Sequence, residues 1–329
     1  METIRIGLVR CDLHAYWYAA FIADPVPELF RRRCPENHWL FYASYYAEPD
    51  RLMIPRVPGF ALSKIWDRDR RQAEAMSEAF GGGPKVCEVL EDVCEDVDLV
   101  FIADCFGEGE DHLALAAPAL QSGIPTFVDK PFARGLKDAQ QMLHLATERG
   151  TPLLSASLLG VSPQADHFRK RFAEIEPVTL GIVRGAIGEK GNLAGTYHVL
   201  ALIQNLFGTG VQWMECMGEK PMQYLLVHYP SGVEVIGISS YVRGEDIFCG
   251  YRADVYGRTG VIHSPFIGDF QFPSSGERIF RMLREMVHTR RPPLSYESIL
   301  ELVAMAEAGR LAQKERRRVF LHELVRHSS

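Results

Sequence analysis

Short apolar runs alternate with amphipathic stretches along the first half of the chain, and each apolar run ends at polar residues. The apolar runs predict buried parallel strands, and the stretches with helical spacing of apolar residues predict the helices between them. This β-α alternation predicts a doubly wound parallel sheet. The predicted strands span residues 4–9, 61–66, 98–103, 126–128 and 152–154, and the predicted helices span 16–22, 70–80, 113–121 and 136–149.

The pattern changes near residue 155, where strands outnumber helices and predict an α+β domain with a mainly antiparallel open sheet. Its predicted strands span 178–186, 211–217, 223–229, 233–239, 252–256 and 260–264. Two amphipathic helices, 277–289 and 295–314, are predicted to pack on this second sheet. We therefore predict two domains, residues 1–154 and 155–329.

Residues 24–59 form a proline- and aromatic-rich insertion in the first domain. Prolines at this density break regular structure, whereas the aromatic residues argue against disorder. We interpret the segment as an ordered cover of the strand ends or a subunit contact, with packing favoured over ligand stacking.

Composition narrows the class of protein. The 329 residues are 47% hydrophobic and 24% charged, with a formal net charge of -6. A mildly acidic chain without a basic stripe is a poor candidate for nucleic acid or an anionic membrane, and no apolar run is long enough to span a bilayer. Seven cysteines without CxxC spacing, and no signal peptide pattern, predict reduced thiols in a cytoplasmic protein.

The segment 123–133, GIPTFVDKPFA, is the first candidate site. Asp129 and Lys130 follow its short predicted strand, and ligands of open parallel sheets bind at the carboxyl ends of strands. A lysine beside a carboxylate there suits proton or hydride chemistry. The alternative is a surface turn with a solvated ion pair.

His198 is the second candidate. Thr196 is the predicted N-cap of a helix, which places His198 in its first turn. The helix dipole there favours a neutral imidazole, which can accept a proton. The alternative is a histidine packed on the domain interface.

The first β-α turn suggests a dinucleotide site, but the usual GxGxxG is absent, and Arg10 and Asp12 stand at the first two glycine positions. Arg10 could hold a phosphate, whereas Asp12 would repel one. Asp67, at the end of the second strand, could hold ribose hydroxyls and favours NAD, although it could instead cap a helix. Because of the neighbouring Arg68, NADP stays an alternative cofactor.

Together these segments resemble the Gfo/Idh/MocA (glucose–fructose oxidoreductase / inositol dehydrogenase) family. IWDRDRRQAEAMSEAFG resembles its second strand and helix, and DLVFIADC…H…AAPALQSGIPTFVDKPFA resembles its segment ending in (E/D)KP. The resemblance implies a Rossmann-like first domain with NAD, a sugar or cyclitol against the second sheet, and homo-oligomers formed through that sheet. Lys130 and His198 would be catalytic. The implied cofactor-binding residues are Arg10, Cys11, Asp67, Arg68, Asp104, Cys105, His112, Asp129 and Lys130.

Two carboxylates usual in the family are missing, since Ala194 and Ala201 stand where they would flank His198. The leading hypothesis is an NAD(P)-dependent oxidoreductase. The alternatives are a redox-neutral lyase or glycosidase-type relative that recycles bound NAD, and a non-catalytic binding protein. Cys11, Asp12, His14, Cys105 and His112 could supply zinc ligands, but their spacing matches no standard motif, so no metal site is predicted.

Overall fold

The computed structural model describes residues 3–34, 46–48, 51–52, 54–104, 107–188, 194–219, 222–242, 250–268 and 270–326. The chain forms two compact units. The first consists of Met1–Ala133, Asp138–Ala156 and Gly276–Tyr296, and the second of Arg134–Lys137, Ser157–Ser275 and Glu297–Ser329. No helix in the described ranges is long and apolar enough to cross a membrane.

The first unit is built on a six-stranded parallel sheet, which confirms the predicted Rossmann-like fold. Its strands lie in the order β5-β4-β1-β6-β7-β8, so the N-terminal strand is central. The strands are β1 (Ile4–Val9), β4 (Phe60–Trp66), β5 (Lys85–Val86), β6 (Leu99–Ile102), β7 (Thr126–Val128) and β8 (Leu153–Leu154). A separate two-stranded sheet pairs β2 (Tyr46–Glu48) with β3 (Arg51–Leu52).

Helices connect the strands of this sheet. They are α1 (Leu13–Ala19), α2 (Pro27–Arg33), α3 (Arg70–Ala79), α4 (His112–Gln121) and α5 (Leu136–Glu148), with a short 3-10 helix over Leu90–Cys94. Helix α2 lies inside the proline-rich insertion. Its proline, Pro27, does not break the helix because it occupies the first position, where no backbone N–H donor is needed. The part of the insertion at 35–45 lies outside the described residues.

An aromatic cluster forms the core beside β6 and β7. The ring of Phe280 lies within 6.3 Å of those of Tyr18, Phe21 and Phe101, measured between centroids. Phe280 belongs to α8 (Phe272–Thr289), most of which is part of the first unit. The prediction that this helix packs on the second sheet is therefore wrong. The amphipathic pattern of a helix shows which face is buried, but it does not identify the surface that covers this face.

The second unit contains a mixed, mostly antiparallel sheet, again as predicted. The strand order is β14-β13-β9-β12-β11-β10-β16, and only the β9–β12 pair is parallel within this described sheet. Its strands are β9 (Val178–Gly188), β10 (Trp213–Met217), β11 (Met222–His228), β12 (Glu234–Val242), β13 (Gly250–Gly257), β14 (Gly260–His263), β15 (Ile267–Gly268) and β16 (Val319–Phe320).

The helices of the second unit are α6 (Pro163–Lys170), α7 (Ala194–Phe207), α9 (Tyr296–Glu315) and α10 (Leu321–Arg326), with a 3-10 turn over Arg171–Glu174. Helix α7 begins at Ala194, so Thr196 lies inside it and the predicted N-cap is wrong. His198 is consequently the fifth residue of the helix, just beyond the first turn.

Candidate functional site

The carboxyl ends of β1, β4 and β6 border a crevice of about 440 Å³ in the first unit. Its walls are the β1–α1 loop, the residues after β4 and the loop before α4. This is the edge at which open parallel sheets bind ligands, so the strand order alone directs attention to it.

Asp12 occupies the amino terminus of α1. Its Oδ1 accepts hydrogen bonds from the backbone N–H groups of His14 at 2.9 Å and Ala15 at 3.3 Å. These are the free donors that a phosphate uses at a helix amino terminus. The predicted repulsion of phosphate by Asp12 therefore has a structural basis, since a carboxylate already fills the anion position.

Asp67 joins the end of β4 to the β1–α1 loop. Its Oδ2 accepts the backbone N–H of Cys11 at 2.8 Å, and its Oδ1 accepts that of Asp69 at 2.8 Å. The N-cap of α3 is Asp69, so the alternative in which Asp67 caps this helix is wrong. A carboxylate has about four lone-pair positions, so Asp67 retains acceptors for ribose hydroxyls.

The crevice is strongly acidic. Among the described residues, five carboxylates and one cationic side chain, Arg10, line it. Arg10 forms an ion pair with Asp111, and the exposed Arg68 lies 3.9 Å from the same carboxylate. The five carboxylates belong to Asp12, Asp67, Asp104, Glu110 and Asp111.

Cys11 is buried in the wall of this crevice. Burial, with smaller contributions from Asp67 and Asp12, raises the pKa of its thiol well above the usual value. A thiol that stays protonated is a poor nucleophile and a poor metal ligand. The predicted site residue Cys105 lies outside the described residues.

Lys130 lies at the end of β7 and is only 6% exposed. Among the described residues, no hydrogen bond or ion pair ends on its amine. The neighbouring Asp129 is fully buried and bonds instead to His14 through Oδ2. The alternative of a solvated surface ion pair is therefore wrong, because both side chains are buried and Asp129 pairs with a different residue.

Sequence reasoning did not identify His14 as the partner of Asp129. The two residues are 115 positions apart, and only the parallel pairing of the central strands brings their side chains together.

The loop before α4 packs closely against the segment that follows β7, because a Cβ on Gly109 would lie 2.6 Å from the Pro131 carbonyl oxygen. Its φ of +78° also favours glycine.

The His14–Asp129 pair predicts a stability effect. We expect His14→Ala to lower the free energy of unfolding by about 2 kcal/mol, because it removes a hydrogen-bond partner from a buried carboxylate. Urea denaturation measures the change, and His144→Ala, at an exposed position of α5, is the control. Adding Asp129→Asn should recover part of the loss; a double variant whose losses simply add would contradict the pairing.

His112 begins α4 and is fully buried. Its Nδ1 lies 3.2 Å from the Phe132 carbonyl oxygen, and its Nε2 lies 3.6 Å from Oδ2 of Asp104. Burial alone would lower the pKa of His112, but the Asp104 carboxylate and then the Phe132 carbonyl raise it above the usual value. The predicted site residues Asp104 and His112 are thus brought together.

His198 lies in the second unit, where its Nδ1 is 3.0 Å from Oγ of Ser157. The Ser157 hydroxyl also accepts the backbone N–H of Leu159 at 3.3 Å. Ser157 thus holds the imidazole in the absence of carboxylates at 194 and 201. The sequence signal for Ser157 was its position shortly after the predicted strand 152–154.

The crevice can be compared with the needs of a nicotinamide dinucleotide, which are a groove at this edge, an acceptor for ribose hydroxyls and donors for the diphosphate. The groove and Asp67 meet the first two needs. The α1 donors are engaged by Asp12, so the diphosphate must displace this carboxylate or draw Arg10 from Asp111. The residues fit the dinucleotide except at its diphosphate.

The fold and crevice define a Rossmann-type unit joined to an α+β unit, the architecture of two-domain nicotinamide-dependent oxidoreductases. Residues 42–157 match the family described as "Oxidoreductase family, NAD-binding Rossmann fold", GFO_IDH_MocA. This match to the Gfo/Idh/MocA oxidoreductase family model confirms the resemblance in the sequence.

Solved structures share the fold over nearly the whole chain. A myo-inositol dehydrogenase from Lactobacillus casei, in complex with NAD(H) and myo-inositol, has a TM-score of 0.76 and 13% identity over 97% of this chain and 96% of that chain. A probable dehydrogenase from Thermotoga maritima has a TM-score of 0.73 and 15% identity, covering 98% and 100%.

An oxidoreductase from Agrobacterium radiobacter, in complex with NAD+, L-tartaric acid and magnesium, has a TM-score of 0.73 and 16% identity over 97% and 99% of the two chains. At these identities the likeness establishes the fold. No curated protein matches the sequence.

Proposed function

We propose that this protein is an NAD(P)-dependent oxidoreductase that acts on a secondary hydroxyl or keto group of a sugar, a cyclitol or a derivative of one. The observation that carries the proposal is Lys130, a buried side chain at the carboxyl end of β7 whose amine has no ion-pair partner among the described residues. A buried amine without a partner is costly to keep, and such groups cluster at functional sites. The family match to an NAD-binding oxidoreductase model supports the same conclusion.

The proposed roles follow from the chemistry of the side chains. A bound nicotinamide would supply the hydride acceptor or donor. Lys130 would stabilise the negative charge that develops on the substrate oxygen, and His198 would take or return the hydroxyl proton. Ser157 would act as a positioning residue for the His198 ring.

The proposed cofactor preference is NAD. The Asp67 carboxylate at the ribose position would repel a 2′-phosphate. Arg68 could pair with such a phosphate, but it lies near Asp111 and remains largely exposed. Relative affinities for NADH and NADPH test this preference, and tighter NADPH binding would overturn it.

The activity is tested by incubating the full chain with NAD or NADP and a panel of cyclitols, aldoses, sugar acids and amino sugars while recording absorbance at 340 nm. The reverse reactions use the corresponding keto compounds with NADH. Saturable turnover that is lost in Lys130→Met is expected. Absence of turnover across the panel, together with no thermal shift by any of the four nucleotides, would overturn the proposal.

The role of Ser157 yields a prediction of its own. We expect Ser157→Ala to lower kcat about tenfold with little change in KM, because the His198 ring loses a hydrogen bond that fixes its orientation. Ser155→Ala is a matched control, since the Ser155 hydroxyl is buried without a hydrogen-bond partner among the described residues. Equal kcat values for both variants would contradict the positioning role.

One observation favours a second candidate. The Asp12 carboxylate at the α1 amino terminus suits a binding protein that has no diphosphate ligand. A redox-neutral enzyme would instead keep NAD bound through purification. Mass spectrometry of small molecules released by denaturation separates these cases: NAD supports the redox-neutral enzyme, and a sugar without nucleotide supports the binding protein.

We also propose a cytoplasmic homo-oligomer formed through the second sheet. Met217 and Tyr224 are cross-strand partners on β10 and β11 that are 62% and 39% exposed. Exposed apolar pairs of this kind are typical of contact surfaces.

We expect Tyr224→Glu to shift the protein towards the monomer in light scattering coupled to size exclusion. The control Val89→Glu, at an exposed apolar residue of the first unit, should leave the mass unchanged. A monomeric wild-type protein would contradict the prediction.

A further inference from the structure

Asp104 and Asp111, which line the crevice, and the buried His112 each offer one potential ligand atom. The three atoms all lie within 4.8 Å of one another. Asp104 follows the end of β6, and the other two residues begin α4. We propose that this cluster binds a divalent transition-metal ion, with zinc the preferred ion.

The histidine supplies the observation that distinguishes this cluster from an ordinary group of acids. Its Nε2 is buried and has no hydrogen-bond partner among the described residues. A carbonyl oxygen can only accept, so the contact of Nδ1 with the Phe132 oxygen places a hydrogen on Nδ1 and leaves Nε2 as the nitrogen that can bind a metal. Nε2 lies among the carboxylate atoms of the cluster, and a metal ion would bind it in place of a proton; metal-binding histidines are oriented by a partner of the other ring nitrogen in this way.

The separation of the ligand atoms also fits a metal. The 3.6 Å between His112 Nε2 and Asp104 Oδ2 is too long for a normal hydrogen bond. Two ligands at about 2.1 Å from a tetrahedral zinc ion lie roughly 3.4 Å apart. A small inward adjustment of either side chain would therefore complete both bonds.

The identity of the metal follows from the donor set. One imidazole nitrogen with two carboxylate oxygens suits zinc or manganese, whereas magnesium and calcium prefer oxygen ligands alone. Three protein ligands leave one tetrahedral position for water or a ligand oxygen, as in catalytic zinc sites.

The charges around the cluster favour a metal cation, and they also include one side chain that competes with it. Asp12, Asp67 and Glu110 line the same crevice, so its field favours a cation. Arg10 now pairs with Asp111, and the metal would have to displace its guanidinium. Asp111 is available for this exchange because its carboxylate makes no hydrogen bond as the N-cap of α4.

The test uses the full chain after EDTA treatment and dialysis. Zn²⁺ binding is measured by equilibrium dialysis with elemental analysis, and Co²⁺ serves as a spectroscopic probe whose visible bands report coordination geometry. We expect one ion per chain, and His112→Gln should weaken binding by at least about 100-fold. His144→Gln removes an exposed histidine on α5 and should leave affinity within about twofold.

Two further variants keep the test decisive. Asp111→Asn alters a partly exposed helix start and should weaken binding about tenfold even if His112→Gln fails to fold. Arg10→Met removes the competing cation and should strengthen binding. Absence of metal in the wild-type chain, or equal binding by wild type and Asp111→Asn, would overturn the proposal. Neither result depends on dinucleotide binding or activity.

Discussion

Lys130→Met is expected to lower kcat/KM by about 100- to 1000-fold, or about 2.7–4 kcal/mol of transition-state stabilisation. The same substitution should leave the melting temperature equal or higher. It replaces a buried lysine, whose amine has no ion-pair partner in the part of the chain that the structure describes, with an apolar side chain of similar length. Loss of activity with retained or increased stability is the signature of a functional rather than a structural lysine. Steady-state kinetics and thermal unfolding measure the two effects.

Lys137→Met is the matched control for this variant. Lys137 lies on α5, seven positions along the chain, and is exposed. It should change neither rate nor stability. A Lys130→Met protein that unfolds at a clearly lower temperature would instead indicate that the amine holds the fold together.

Asp12→Gly is expected to increase affinity for NADH about 30- to 100-fold. A carboxylate roughly 5 Å from a phosphate charge opposes it by about 3 kcal/mol at an effective dielectric constant of 20. The substitution also releases the N–H groups of His14 and Ala15 to the phosphate. Stability should fall by only a few tenths of a kcal/mol, because glycine is itself an acceptable N-cap. Calorimetric titration measures the affinity.

Asp69→Gly is the control that distinguishes the charge of Asp12 at the site from the loss of a helix N-cap. Asp69 is the N-cap of α3 and accepts the backbone N–H of Arg71. Its loss should change stability by a similar amount and leave the NADH affinity near the wild-type value. If both variants bind NADH equally, Asp12 does not oppose the diphosphate.

The fold was predictable because its signals are local. Continuous apolar runs marked the buried strands, and glycines and prolines marked the breaks between elements. The start of α7 was misplaced because Thr196 has the chemistry of an N-cap without occupying that position. The packing of Phe280 was missed because a helix pattern shows which face is buried, but the partner depends on the whole fold.

The candidate site was predictable where residues follow strand ends. Lys130, Asp67 and Asp104 were found in this way. The pairs that position them were not: His14 reaches Asp129 across 115 residues, and Ser157 reaches His198 across 41. Such pairs depend on tertiary structure, and hydrophobic periodicity carries no information about which distant residues meet. The catalytic roles of Lys130 and His198 stay predictions.

The central claim is that the crevice at the carboxyl edge of the first sheet binds a nicotinamide dinucleotide. Its most direct test is a fluorescence titration of the wild-type chain and Asp12→Gly with NADH, followed by displacement with NAD. The account predicts saturable binding of one NADH per chain in both proteins, tighter in the variant. Absence of saturable binding in both, up to about 1 mM NADH, would contradict it.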